Sequence, residues 1–213
     1  METAQLLTRI SQFSSIIPVV IGLFFYNKLN KLFKRLFLFL LFFVLMEYMA
    51  HWLATELGNN MPLSHIFTII EFGMLLSIFT THFQVITKYY YVLLLLFIFI
   101  AIIDAFVLKN IDAFSSLAKP IESIIFTIAA LYFYYNNINQ NQNIDLYKQP
   151  MFWFSTSILV YFSINFFMFL LFKTIIKEAV NTNFIEHNIH SITNTSANLL
   201  YSMAFFSFKW KTS

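Results

Sequence analysis

The chain has 213 residues, of which 59% are hydrophobic and 20% aromatic, while only 11% are charged and the formal net charge is +3. A soluble domain carries roughly 25% charged residues, so this composition excludes an ordinary water-exposed globule and predicts a protein whose solvent is lipid. The absence of cysteine excludes disulfides, thiolate metal ligands and a cysteine nucleophile.

Apolar runs recur along the whole chain, and a membrane-spanning helix needs about 20 mostly apolar residues. They predict an all-α, polytopic membrane protein with seven transmembrane helices. The predicted spans are Ser14–Tyr26 with an upstream extension, Leu36–Ala54, Pro62–Phe83, Tyr89–Leu108, Phe114–Asn136, Met151–Lys173 and Phe184–Phe208. Connections are short except for the polar segment 136–150, and no internal repeat is evident. We therefore predict a single domain over residues 1–213, with no segment left for a soluble catalytic or nucleic-acid-binding domain.

The basic residues predict the orientation, because Lys and Arg concentrate in short cytoplasmic loops. With the N-terminus outside, the inner side carries Lys28, Lys31, Lys34, Arg35, Lys88, Lys148, Lys209 and Lys211. The outer side then carries Arg9, Lys109, Lys173 and Lys177, with Lys119 inside the fifth span. We predict an outside N-terminus and an inside C-terminus. The expected location is a bacterial cell membrane, with the inner membrane favoured.

Ionisable and amide side chains gather in the predicted outer half of the bundle. A charge inside a membrane costs at least about 2.5–3.5 kcal/mol near the helix centre, so such groups face the bundle interior, pair, or line a wet cavity. We predict a polar cavity lined by spans two, three, five and seven. The predicted ligand-binding residues are Glu47, Asn60, Glu71, Glu122, Asn165, Asn194 and Tyr201.

The same groups have a structural alternative. Lys119 and Glu122 are three residues apart, a spacing that lets them pair on one helix. His190, Asn194, Asn198 and Tyr201 fall on one stripe of span seven, where an interhelical hydrogen bond contributes about 0.6 kcal/mol on average.

The first functional hypothesis is a receptor or sensor module that binds a small molecule or lipid from the outer side. Because the chain carries no output domain, its signal would pass to a separate signalling protein or through a homo-oligomer. A channel or membrane effector built by oligomerisation is an alternative. No nucleic-acid partner is expected.

The second hypothesis is a zinc-dependent membrane hydrolase acting on lipid amides or esters. A catalytic zinc takes three protein ligands and a water molecule, and His51, His65 and His190 are the candidate metal ligands. In topology, this arrangement resembles the superfamily of alkaline ceramidases and adiponectin-type receptors. That resemblance implies a zinc site near the outer ends of spans two, three and seven. The chain has His187 three residues before His190, whereas that family has a His-x-x-x-His pair.

A closer resemblance covers nearly the whole chain and is carried by three stretches: NNMPLSHIFTIIEFGML, QPMFWFSTSILVYFSINFFMFL and HNIHSITNTSANLLYSMAF. They resemble an uncharacterised group of seven-helix bacterial integral membrane proteins, similar to the membrane part of some sensor histidine kinases. The matching positions are Asn60, His65, Glu71, Pro150, Trp153, Tyr161 and Ser163. The resemblance implies a sensor role and no particular chemistry.

Overall fold

The computed structural model describes residues 2–108, 111–112, 117–139, 145–174 and 182–211. Seven α-helices follow one another in these ranges: α1 Glu2–Phe25, α2 Lys31–Glu56, α3 Met61–Phe79, α4 Gln84–Ile103, α5 Ala118–Asn139, α6 Pro150–Thr174 and α7 Thr182–Lys211. The described residues contain no β-strand, which confirms the all-α prediction.

Five helices contain a segment that is long and apolar enough to cross a membrane. The segments are Leu6–Lys28, Lys31–Glu56, Met61–Phe79, Ile86–Val107 and Pro150–Met168. On their described residues, α5 and α7 fall outside this set, although both were predicted to be spans. The protein is therefore a helical membrane protein, with five apolar candidate spans in the part of the chain that the structure describes.

The helices do not end where the apolar runs end. α2 begins at Lys31 rather than Leu36, which places Lys34 and Arg35 in its first turns and not in the preceding loop. The predicted start of span five at Phe114 lies outside the described residues. An apolar run marks the part of a helix that lies in lipid, whereas backbone hydrogen bonding continues into the polar flanks.

A tight turn joins α2 to α3. Gly58 has a φ of 74°, in the left-handed region that residues with a side chain adopt only at a cost in conformational energy. The side-chain oxygen of Asn59 accepts a hydrogen bond from the backbone N–H of Met61 at 2.9 Å. Asn60 precedes the helix and Pro62 occupies its first turn, where a missing N–H is no loss. Gly58, Asn59, Asn60 and Pro62 together form the turn between the two helices.

The chain forms two compact units, and the boundaries between them fall directly before α2 and within α5. We call residues 1–30 with 123–213 the terminal unit, and residues 31–122 the central unit. The single-domain organisation of the chain stays a prediction.

In the central unit, α3 packs against both α2 and α4. The rings of Phe72 and Phe97 stack with centroids 3.8 Å apart and planes 8° apart. Next to this contact, a Cβ added at Gly73 would lie 3.3 Å from Leu94 Cδ1, and the Tyr90 hydroxyl donates to the Gly73 carbonyl at 3.3 Å. The glycine therefore permits a close approach between α3 and α4.

In the terminal unit, α7 packs along α1 and along α6. Phe154, Phe205 and Ala204 are fully buried. The Ser157 hydroxyl of α6 donates to the Ala197 carbonyl of α7 at 3.0 Å. Small residues at such a contact let two helix backbones approach closely, as is common in membranes.

Candidate functional site

The central unit holds a buried group of three charged side chains. The ammonium nitrogen of Lys119 lies 2.7 Å from Glu71 Oε2 and 3.3 Å from Glu122 Oε2. We call Glu71, Lys119 and Glu122 the Glu–Lys–Glu cluster. The spacing of Lys119 and Glu122 predicts their pairing, whereas the contact between Lys119 and Glu71 was not predicted.

Two helices supply the Glu–Lys–Glu cluster. On α3, His65, Thr68, Glu71 and Leu75 are all buried and follow one another at helical spacing, so Glu71 belongs to the inward face. On α5, Lys119 and Glu122 lie within the first two turns. Glu71 and Lys119 are 48 positions apart in the sequence.

Burial makes the charges of this cluster costly. Glu71 is 1% exposed and Glu122 is 0% exposed, and the Lys119 side chain is 14% exposed. Two carboxylates against one ammonium leave a surplus of one negative charge. A buried charge without a counter-charge typically costs several kcal/mol. If all three side chains are ionised, one carboxylate of the cluster therefore lacks a counter-charge.

One atom of the cluster is also left without a hydrogen bond. Glu122 Oε1 is buried and has no hydrogen-bond partner among the described residues. The ring of Phe67 lies under the Lys119 ammonium, with its centroid 5.4 Å from Nζ. A cation–π contact of this length stabilises the Lys119 ammonium but gives the Glu122 carboxylate no hydrogen-bond donor.

The start of α5 is anchored by Asp104, which sequence analysis did not include in the site. Asp104 is 0% exposed, and its Oδ2 accepts hydrogen bonds from the backbone N–H groups of Leu117 and Ala118, both at 3.1 Å. These donors belong to the first turn of α5, where the helix itself provides no acceptor and where a carboxylate is favoured by the helix dipole. Asp104 therefore positions the turn that carries Lys119.

The segment around Asp104 is itself irregular. Residues Asp104–Leu108 form a π-helical turn directly after α4. Such turns are rare and occur frequently at functional sites. A local signal for the anchor is present in the sequence, since a lone acid lies within a long apolar run here, but its partners are backbone groups that no residue pattern identifies.

Three further predicted residues of the central unit lie at the α2–α3 end. Glu47 is half-buried on α2, His51 is exposed one turn later, and His65 is buried on α3. The Asn60 amide donates to the Ala50 carbonyl at 3.3 Å. This bond ties the turn to α2, so Asn60 has a structural role.

The remaining predicted residues belong to the terminal unit. Asn165 is buried on α6, and Tyr201 is buried on α7 with its ring centroid 6.1 Å from that of Phe154. His190 is exposed, and its ring lies 6.4 Å from that of Tyr161. The side chain of His187 lies outside the described residues.

Asn194 belongs to a second polar feature of the terminal unit. Its amide donates to the Ser11 hydroxyl at 2.9 Å, and the Asn198 amide donates to the Ser14 hydroxyl at 3.0 Å. We call these four residues the Ser–Asn seam. All four are buried, and all are neutral. The stripe predicted on α7 therefore faces α1 at Asn194 and Asn198.

No grouped metal ligands are found in the described part of the chain. Among the described residues, no three His, Asp or Glu side chains lie together in a way that could hold a metal ion. The zinc site at His51, His65 and His190 stays a prediction, as does the cavity lined by four spans.

No family model, curated protein or solved structure matches the chain. The two resemblances drawn from the sequence therefore stay predictions, and the functional inference depends on the geometry described above.

Proposed function

We propose that the protein is a receptor-like membrane module that binds a small ligand carrying a positive charge at the Glu–Lys–Glu cluster. The observation that carries this proposal is the surplus acid of the cluster, with Glu122 fully buried and its Oε1 without a hydrogen-bond partner among the described residues. A primary ammonium group supplies one positive charge and three N–H donors. Such a group complements both the charge and the hydrogen bonding of the cluster.

The proposal includes a seven-span bundle with its N-terminus outside, in a bacterial inner membrane. The two helices that fall short of an apolar span, α5 and α7, are those that carry the Glu–Lys–Glu cluster residues Lys119 and Glu122 and the buried amides of Asn194 and Asn198. Polar groups of this kind are tolerated in a spanning helix when they face other helices. This supports counting both helices as spans.

The receptor model assigns the output to another molecule. In the proposed orientation, α3 and α5 both begin on the outer side, so the cluster lies in the outer half of the bundle. Binding there would change how these helices pack, and a separate signalling protein or a second copy of the chain would respond. Neither the hydrolase nor the channel has a specific observation in its favour.

Direct binding tests the proposal. Purified protein in lipid nanodiscs is titrated with radiolabelled methylamine, ethanolamine and agmatine by scintillation proximity. We expect saturable binding of at least one amine to the wild-type protein, and at least tenfold weaker binding to Glu122→Gln, because the neutral amide removes the surplus charge.

The matched control is Glu56→Gln. Glu56 is an exposed carboxylate at the end of α2, and its replacement should leave the dissociation constant unchanged. Equal binding to Glu122→Gln and to the wild type, or absence of saturable binding for every amine, would contradict the proposal.

A further inference from the structure

The two ion-pair distances of the Glu–Lys–Glu cluster are unequal. Lys119 Nζ lies 2.7 Å from Glu71 but 3.3 Å from Glu122. Hydrogen bonds between an ammonium and a carboxylate are typically about 2.7–2.9 Å long. A neutral acceptor lacks the Coulomb attraction that draws the two groups together, so a longer contact is expected there. The short contact thus matches an ionised Glu71, and the long contact matches a neutral Glu122.

Burial leads to the same assignment independently. Both acids are fully buried, but it is Glu122 whose Oε1 has no hydrogen-bond partner among the described residues. A carboxylate in this setting would leave charge on an oxygen that nothing solvates, and the cost of burying an isolated charge far exceeds that of burying a neutral polar group. A proton on Glu122 removes that charge.

Among the described residues, the neighbouring charged groups do not supply a second cation. The charged side chains that act on Glu122 are Lys119 and Glu71. On α2, Arg35 donates to the Ser77 carbonyl at 2.8 Å, and Ser77 lies about 9 Å further along α3 than Glu71 by helical rise. Next to α5, Asp104 is an acid engaged by backbone N–H groups and adds negative charge.

We propose that Glu122 carries a proton in the unliganded protein, so that the cluster is a proton-binding site composed of a Glu71–Lys119 ion pair and a neutral Glu122 carboxylic acid. The inference deepens the proposed function and rests on the same site: when an ammonium group binds, the O–H bond of Glu122 breaks and its proton passes to water. No other bond forms or breaks, and the net charge of the occupied site is unchanged. In the unliganded protein, the proton neutralises Glu122 as the cationic ligand does in the occupied site.

Infrared spectroscopy of the unliganded protein tests this inference, because a protonated carboxyl has a C=O stretching band that a carboxylate lacks. The protein in nanodiscs carries glutamate labelled with a heavy carbon isotope at the side-chain carboxyl, which separates Glu bands from Asp bands. Difference spectra compare the wild type with each variant at neutral pH. Glu56→Gln serves as the control and should leave the carboxylic acid band unchanged.

Three variants should give a pattern specific to a shared proton. Glu122→Gln should remove one carboxylic acid band. Glu71→Gln should remove the same band, because Lys119 then has only Glu122 as counter-ion and Glu122 ionises. Lys119→Met should raise the intensity about twofold, since both acids become neutral when the cation is absent.

Circular dichroism identifies any variant that fails to fold, and the isosteric Glu122→Gln alone then decides the matter. A wild-type spectrum without a band that depends on Glu122 would overturn the inference, whatever the amines do. If the band is present but saturating methylamine, ethanolamine and agmatine do not reduce it, the proton site stands and the proposed ligand class fails. If an amine binds but no such band exists, the proposed function stands and the proton site fails.

Discussion

The Glu–Lys–Glu cluster and the Ser–Asn seam are both buried polar features between helices, but they differ in how completely their groups are satisfied. In the seam, each amide nitrogen has a hydroxyl acceptor within 3.0 Å, and no charge is present. In the cluster, one cation faces two acids, and a buried oxygen of Glu122 lacks a hydrogen bond within the described residues. A satisfied neutral network suffices to hold helices together, whereas an unbalanced charged one is expensive, and this difference is the basis for proposing a ligand at the cluster and none at the seam.

The largest expected effect comes from removing the cation. Lys119→Met should lower the free energy of unfolding by about 3–5 kcal/mol, because Glu71 loses its counter-ion and must take up a proton to stay buried. Unfolding is followed by circular dichroism as the mole fraction of a denaturing detergent rises. Glu122→Gln is the matched comparison and should cost less than about 1 kcal/mol, since a neutral amide replaces a neutral acid of the same shape. Equal losses for the two variants would contradict a neutral Glu122.

The next effect concerns the anchor of α5. Asp104→Ala should lower the free energy of unfolding by about 1–2 kcal/mol, the usual cost of removing a helix N-terminal cap. It should also weaken amine binding, because the turn that carries Lys119 loses its acceptor. Asp104→Asn keeps an acceptor oxygen and should recover much of both losses. If Asp104→Ala binds amines with unchanged affinity, Asp104 does not position the binding site.

A smaller effect is expected in the Ser–Asn seam. Asn194→Ala should cost about 0.6 kcal/mol, the average for an interhelical hydrogen bond in a membrane protein, and should leave amine binding unchanged. A double-mutant cycle with Ser11→Ala isolates the coupling of the pair. A coupling of several kcal/mol, or a loss of amine binding, would place function in the seam and abolish its contrast with the cluster.

The smallest effect is expected at an exposed carboxylate. Glu56→Gln should change the free energy of unfolding by less than about 0.5 kcal/mol, as surface substitutions usually do. Measured beside Glu122→Gln in the same detergent series, it gives the baseline for losing one acid. A larger loss would show that Glu56 takes part in packing.

The sequence predicted the helical class well, because hydrophobicity is a local property that each apolar run displays by itself. It predicted the helix ends less well: Lys34 and Arg35 lie in α2 although they read as loop residues. α5 and α7 carry buried polar groups that lower their hydropathy, so their place among the spans stays a proposal.

The site was predictable only in part. Glu71 and Glu122 stood out because carboxylates are rare in apolar runs, and the pairing of Lys119 with Glu122 followed from local spacing. The Lys119–Glu71 contact and the Asn194–Ser11 contact join residues 48 and 183 positions apart, and no local pattern specifies such partners. The serines at positions 11 and 14, spaced to lie on one helix face, are a local signal for a polar contact between α1 and another helix.

The most direct test of the central claim is the thermal stability of three proteins, the wild type, Glu122→Gln and Asn194→Ala, each with and without whichever of methylamine, ethanolamine and agmatine binds the wild type most tightly. A ligand that binds only the folded state stabilises it by about 2.7 kcal/mol at a concentration of about 100 times Kd, which raises the Tm. The account predicts a raised Tm in the wild type and in Asn194→Ala, and no rise in Glu122→Gln. A rise of the same size in Glu122→Gln, or a rise lost only in Asn194→Ala, would contradict it.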